Sequence, residues 1–278
     1  MLDDPIIKVR SMAAYAIGQN RNPASEAPLL NGFRQRDTMS VDNESNAAII
    51  EAIGKLGSAE LPKFLIDASG YRSTDTLLHK GRIKSLYQFA LRNIKNPEVT
   101  AFVVNTVRNR QLESETRLYA AHYLARSKDL DIEKTKFQIA EAFVDEKDPH
   151  IKMALATALR HTNDPEIQTI LLNQLDLVQD YRVKINIIRT LSNYDYIKSA
   201  QKIIDLLRDP NIHVTLAACE FLEKNGVKED AVLYRNIARD SLPWQTKSRL
   251  YQSIMSILPF YYGKTKNVTR WQIQKAME

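Results

Sequence analysis

A single helical pattern recurs eight times between Val9 and Ile254, and no other feature constrains the fold of this chain as tightly. Aligned on an anchor position, the units begin at Val9, Ser45, Gly81, Thr116, Ile151, Val183, Val214 and Thr246. Successive anchors are 36, 36, 35, 35, 32, 31 and 32 residues apart. The residue eight places after each anchor is Ile17, Ile53, Phe89, Leu124, Leu159, Leu191, Leu222 and Ile254, apolar every time. The residue four places after is apolar in seven units, with Ser85 the exception. Apolar side chains spaced by four and eight line one face of a helix. A period in this range predicts a solenoid, in which each unit buries its apolar face against its neighbours. The expected fold class is therefore all-α, an α-α superhelix of about eight two-helix repeats, with residues 1–278 forming a single array.

Glycine usage agrees. The chain has 8 glycines among 278 residues, where average usage of about 7% would give roughly 19. So few glycines argue against Gly-rich phosphate loops and turn-rich β architecture. No apolar run approaches a membrane span, and no signal-like segment opens the chain. The lone Cys219 excludes an internal disulfide, and its neighbours Leu216, Ala217, Ala218, Phe221 and Leu222 predict a small buried hydrophobe. A net charge of +6 from 39 basic and 33 acidic residues is a mild bias that permits an acidic partner without requiring one.

Capping chemistry predicts where the helices begin. Asp4-Pro5, Asp148-Pro149 and Asp209-Pro210 place an acid and a proline before an anchor, while Asp42, Asp75, Glu113 and Asp180 supply the acid alone. Asn22-Pro23, Asn96-Pro97 and Asp164-Pro165 mark the turns into partner helices. Those partners carry their own stripes, clearest at Ile167, Leu171 and Leu175. Gly18 and Gly54 are read as helix-ending residues in left-handed caps. Residues 69–80 are expected to form a polar interruption, and residues 259–270 a basic, aromatic insertion. The chain opens directly on an anchor helix and closes on a helix in progress, which suggests a piece of a longer protein because solenoids need capping repeats.

The run from Asp4 to Gly18 (DPIIKVRSMAAYAIG) resembles the HEAT-repeat signature, and the stretches from Asp148 to Leu159 and from Asp180 to Leu191 repeat it with lysine for arginine. The period is similar to that of short HEAT repeats, including those of the phycobilisome-lyase type. Arg117 to Arg126, Asp180 to Asn186 and Gly81 to Arg92 resemble the HEAT region of bacterial envelope proteins in which a cyclophilin-type prolyl isomerase domain follows the repeats. That resemblance implies a periplasmic or envelope location, a client polypeptide as partner, and isomerase chemistry downstream of this chain. Without it, a cytoplasmic location is the expectation.

Two rows of side chains are the candidate binding residues. The position after each anchor is basic in six units: Arg10, Arg82, Arg117, Lys152, Lys184 and Lys247. A cation in the first turn of a helix opposes the helix dipole and needs compensation. Upstream acids such as Asp4, Asp148 and Asp180 would supply it as a ladder stitching successive repeats; the alternative is a surface gripping an acidic partner. The position six after each anchor is polar or amphipathic throughout, and its Tyr15, Tyr87, His122 and Arg189 are candidates for a partner surface. A third group, Trp244, Tyr251, Phe260, Tyr261, Tyr262 and Trp271 with Lys264, Lys266 and Arg270, is expected to close the core or to pack on a downstream domain; the alternative is that it stacks nucleobases or anchors a protein partner.

The five histidines never fall at metal-ligand spacing, and no nucleophile elbow, Walker or dinucleotide motif is present, so no catalytic, cofactor or metal residues are assigned. The expected function is a non-catalytic scaffold that binds a protein partner or client through a concave helical surface, as the accessory region of a peptidyl-prolyl cis-trans isomerase if the closer resemblance holds. The alternative is a HEAT-like nucleic-acid-binding protein or DNA glycosylase, whose basic channel would show steep salt dependence.

Overall fold

The computed structural model describes residues 1–34, 36–67, 71, 72 and 74–258. Among these it contains fifteen α-helices, four short 3-10 turns and no strand, only an isolated bridge between Asp37 and Tyr71. The chain divides into two compact units, Met1–Thr162 and Asn163–Glu278. The first holds α1 (Ile7–Asn20), α2 (Glu26–Gly32), α3 (Asn43–Leu56), α4 (Leu61–Ile66), α5 (Thr76–Leu91), α6 (Pro97–Arg108), α7 (Ser114–Arg126), α8 (Lys136–Asp145) and α9 (Pro149–Ala158). The second holds α10 (Pro165–Leu177), α11 (Tyr181–Leu191), α12 (Tyr196–Asp205), α13 (Ile212–Asn225), α14 (Ala231–Arg239) and α15 (Trp244–Ile257).

Each of the eight anchors falls on its own odd-numbered helix. In all but α5 the anchor is the third helical residue, and in α9, α11 and α13 an acidic or amide side chain caps the helix start. Asp148 accepts a hydrogen bond from the backbone N–H of His150, Asp180 from Arg182 and Asn211 from His213. The helix α5 starts earlier: Asp75 caps the N–H of Leu78 at 2.9 Å, so Thr76 to Lys80, expected to lie in a loop, are helical. Partner helices use the same device, with Asn96 capping Glu98 and Asp164 capping Glu166 ahead of Pro97 and Pro165.

Within the first unit α1 packs on α3, α3 on α5, α5 on α7 and α7 on α9, while α4 packs on α6 and α6 on α8. In the second unit α11 packs on α13 and α13 on α15, with α10, α12 and α14 each against the anchor helix that follows. In each unit the core lies between the anchor helices and their partner helices. From α3 onward the residues four and eight after each anchor are all buried, each large side chain contributing roughly 1.5–3 kcal/mol. Ile167, Leu171 and Leu175 of α10 are buried as their spacing predicts.

Gly18 and Gly54 do not end helices. They lie inside α1 and α3, and the left-handed residue after α1 is Arg21, at φ 50°. Their role is close approach. A Cβ on Gly18 would come within 2.9 Å of Ala52 Cα, and one on Gly54 within 2.6 Å of Ser85 Cα and carbonyl oxygen. Ser85 breaks the apolar pattern for the same reason: a small side chain is required where α3 presses on α5.

Candidate functional site

The basic row after the anchors points inward. Arg10, Arg82 and Arg117 are 6%, 5% and 8% exposed, so burial removes them from the partner-binding candidates. Their charge is met chiefly by carbonyls at the end of the preceding segment rather than by the upstream carboxylates expected from sequence. Arg82 Nε donates to the Leu65 carbonyl in α4, and Arg117 Nε to the Val107 carbonyl in α6 at 2.9 Å. Lys152 Nζ donates to the Val144 carbonyl in α8 at 3.1 Å, and Arg10 Nη1 to the Asp4 carbonyl at 2.7 Å. The last carbonyls of a helix lack internal partners and carry the negative end of its dipole, so a cation placed there satisfies both deficits.

The row also stitches forward. Arg10 pairs with Asp42 ahead of α3, Arg117 with Glu146 ahead of α9, and Lys184 with Asp209 ahead of α13, the last at 2.9 Å. Asp180, expected to serve Lys184, instead holds Arg182 at 2.7 Å. Asn46, the amide in the row, both donates to and accepts from the backbone of Arg34. Lys247 is half-buried and makes no ion pair among the described residues. Arg82 shows the cost of such burial. Desolvation pulls its guanidinium down to about 10, Asp67 and Tyr71 oppose the shift, and the ring of Phe102 lies 4.9 Å from its Cζ.

The row six after the anchors behaves differently. Tyr15 is exposed with the Lys55 ammonium 5.3 Å from its ring centroid, and the exposed Arg189 pairs with Glu220 at 3.4 Å. Tyr87 is buried, but its hydroxyl accepts a 2.9 Å hydrogen bond from the exposed Arg126. His122 is half-buried 6.0 Å from Tyr87, and Tyr119 stands at the same distance. These groups line a cleft of about 280 Å³ between α5 and α7, completed by Glu115 and Leu118. Burial, then Arg126 and His150, holds the His122 imidazole below the usual histidine range, so it is neutral at pH 7. Lys84 sits 5.0 Å from the Tyr119 ring centroid and pairs with Glu115 at 3.3 Å.

An equivalent cleft of about 260 Å³ lies between α11 and α13 in the second unit. There the rings of Tyr181 and His213 stack at 5.8 Å, with Arg189 and Glu220 beside them. Both clefts lie between adjacent anchor helices.

Sequence reasoning named Tyr87, His122 and Arg189 but missed Leu118, Tyr119 and Arg126. The signal was available: Tyr119 and Arg126 lie three residues before and four after His122, so they share its helical face.

Of the C-terminal aromatic group, Trp244 is 75% exposed at the start of α15 and Tyr251 is buried. Phe260, Tyr261, Tyr262, Trp271, Lys264, Lys266 and Arg270 lie outside the described residues, as does the expected insertion at 259–270. Cys219 is fully buried, and burial pushes its thiol up to about 12. Among the described residues no three His, Cys, Asp or Glu side chains gather as a metal site, and no helix is long and apolar enough to cross a membrane. Comparison of the sequence with family models and with curated proteins finds no match.

Proposed function

We propose that this chain is a non-catalytic scaffold, an α-solenoid of the HEAT type, that binds a protein partner or client polypeptide in the clefts between its anchor helices. One observation carries the reading: the buried arginines of the basic row are taken up by carbonyls and carboxylates of neighbouring segments, while clefts between adjacent anchor helices present rings with arginine at the edge. Tyrosine and arginine are the side chains that dominate protein interfaces, because each brings large contact area with a polar handle. The alternation of eight anchor and seven partner helices supports the solenoid part of the proposal. The resemblance to envelope proteins with a downstream cyclophilin-type domain supports a client held for an isomerase, in the periplasm. Sequencing the source gene beyond the codon for Glu278 tests that extension.

The scaffold reading is tested by panning a displayed peptide library on the full chain. Enriched peptides should lose binding to Tyr119→Ala and Arg189→Ala variants and keep it with Phe137→Ala, which alters the exposed side of α8. Enrichment of nothing, or of peptides sensitive only to Phe137→Ala, would end the proposal.

A further inference from the structure

We infer that the cleft between α5 and α7 takes an acidic peptide segment, seating one apolar or aromatic side chain against Leu118 and Tyr119 and pairing an adjacent carboxylate with Arg126. This rests on the scaffold reading and names the class of partner.

Charge around the cleft is unevenly settled. At one end Lys80 pairs with Glu113 at 3.2 Å and also with Glu115, and Lys84 pairs with Glu115, so two ammonium groups meet two carboxylates. At the other end Arg126 has no carboxylate partner among the described residues; its hydrogen bond goes to the neutral Tyr87 hydroxyl. Glu115 and Arg126 are eleven positions apart on α7, about 16 Å along the helix, so the Glu115 carboxylate does not repel an anion bound at Arg126. The Tyr87 hydroxyl bond orients the guanidinium and leaves most of its five N–H donors open, the arrangement that receives a carboxylate with two parallel hydrogen bonds. His122 beside it carries no charge at neutral pH and adds an uncharged ring to the wall.

At about 280 Å³ and open to solvent on the helix face, the cleft has room for a side chain of a bound segment. A ring-lined slot for one side chain, beside a lone oriented guanidinium, matches an apolar residue flanked by Asp or Glu.

The test is fluorescence anisotropy on the full chain with a labelled acidic peptide, Gly-Asp-Glu-Phe-Asp-Gly. Its matched controls carry lysine for the three acids or alanine for the phenylalanine, and a labelled oligothymidine serves as the nucleic-acid probe. The acidic peptide should bind at least tenfold more tightly than either control peptide. Its affinity should fall at least tenfold with Arg126→Gln and with Tyr119→Ala, and recover in part with Arg126→Lys. Val232→Ala, on the exposed side of α14, should leave it unchanged. No binding of the acidic peptide, equal binding of the lysine peptide, or indifference to Arg126→Gln would overturn the inference. So would an oligothymidine that binds through Arg126 in preference to the peptide. In the first three cases, library peptides still lost with Tyr119→Ala would keep the scaffold reading while this one falls.

Discussion

Arg117 and Arg126 lie nine residues apart on α7 and have opposite energetics. The Arg117 guanidinium is buried between the Val107 carbonyl and Glu146, whose own carboxylate is also buried. Removing one member of a buried ion pair strands the other charge, at a cost of about 3–5 kcal/mol, whereas replacing both with apolar groups is often neutral. Arg117→Met is therefore expected to lower the unfolding free energy by about 3–5 kcal/mol in urea denaturation, and Arg117→Met with Glu146→Leu to restore most of it. A double variant no better than the single would refute the pairing. Arg126 is exposed, and Arg126→Gln should leave stability within about 0.5 kcal/mol of the parent. The basic row itself was legible from the repeat alignment. Its direction was not, because Glu146 and Asp209 lie 29 and 25 residues beyond Arg117 and Lys184, outside the reach of any local pattern.

Helix boundaries and helix contacts divide in a similar way. Asp164 accepts from the Glu166 N–H at 2.8 Å immediately before Pro165; Asp164→Ala should cost about 1 kcal/mol, read as a lower urea midpoint. Such caps span two or three residues, so sequence alone locates them. Gly54 is a different case. In an isolated helix an alanine there would gain about 1 kcal/mol of propensity. Against Ser85 its Cβ would meet backbone atoms at 2.6 Å, and forcing α3 from α5 costs about 1–3 kcal/mol. We expect Gly54→Ala to be net destabilising, and a stabilised variant would show that the two helices part at little cost. Reading Gly54 as a cap failed because a glycine two residues before a helix end satisfies the terminator pattern and the close-packing requirement equally well.

At the scale of the whole molecule, acid should act mainly on the first unit. His79 and His161 both belong to it, and burial lowers each imidazole to about 4; neighbouring Arg82 lowers His79 further, and Arg160 does so for His161. His79 contacts Thr106 Oγ1 at 3.3 Å and the Phe102 ring, and His161 Nε2 is buried without a partner. Unfolded histidine takes up its proton near pH 6.5. Between pH 6.5 and about 4 the unfolded chain therefore binds protons that the folded chain refuses, and stability falls as pH falls through this window. The thermal midpoint should drop across it, and the double variant His79→Gln, His161→Gln should flatten the slope. An unchanged slope would place the acid sensitivity elsewhere. In the second unit the described histidine, His213, is exposed.

The sequence by itself determined the eight anchor helices, most of their starts, the all-α class and, from α3 onward, the inward positions four and eight residues after each anchor. Each of these follows from helical periodicity and capping, interactions that close within one turn. Only the tertiary structure decided that Arg10, Arg82 and Arg117 turn inward, that Tyr87 is buried while Tyr15 is exposed, and that Arg126 meets the Tyr87 hydroxyl. Those outcomes depend on which atoms of a neighbouring segment, 10 to 39 residues away, stand opposite a given side chain. The packing of two helix surfaces sets that, and neither helix's own sequence contains it.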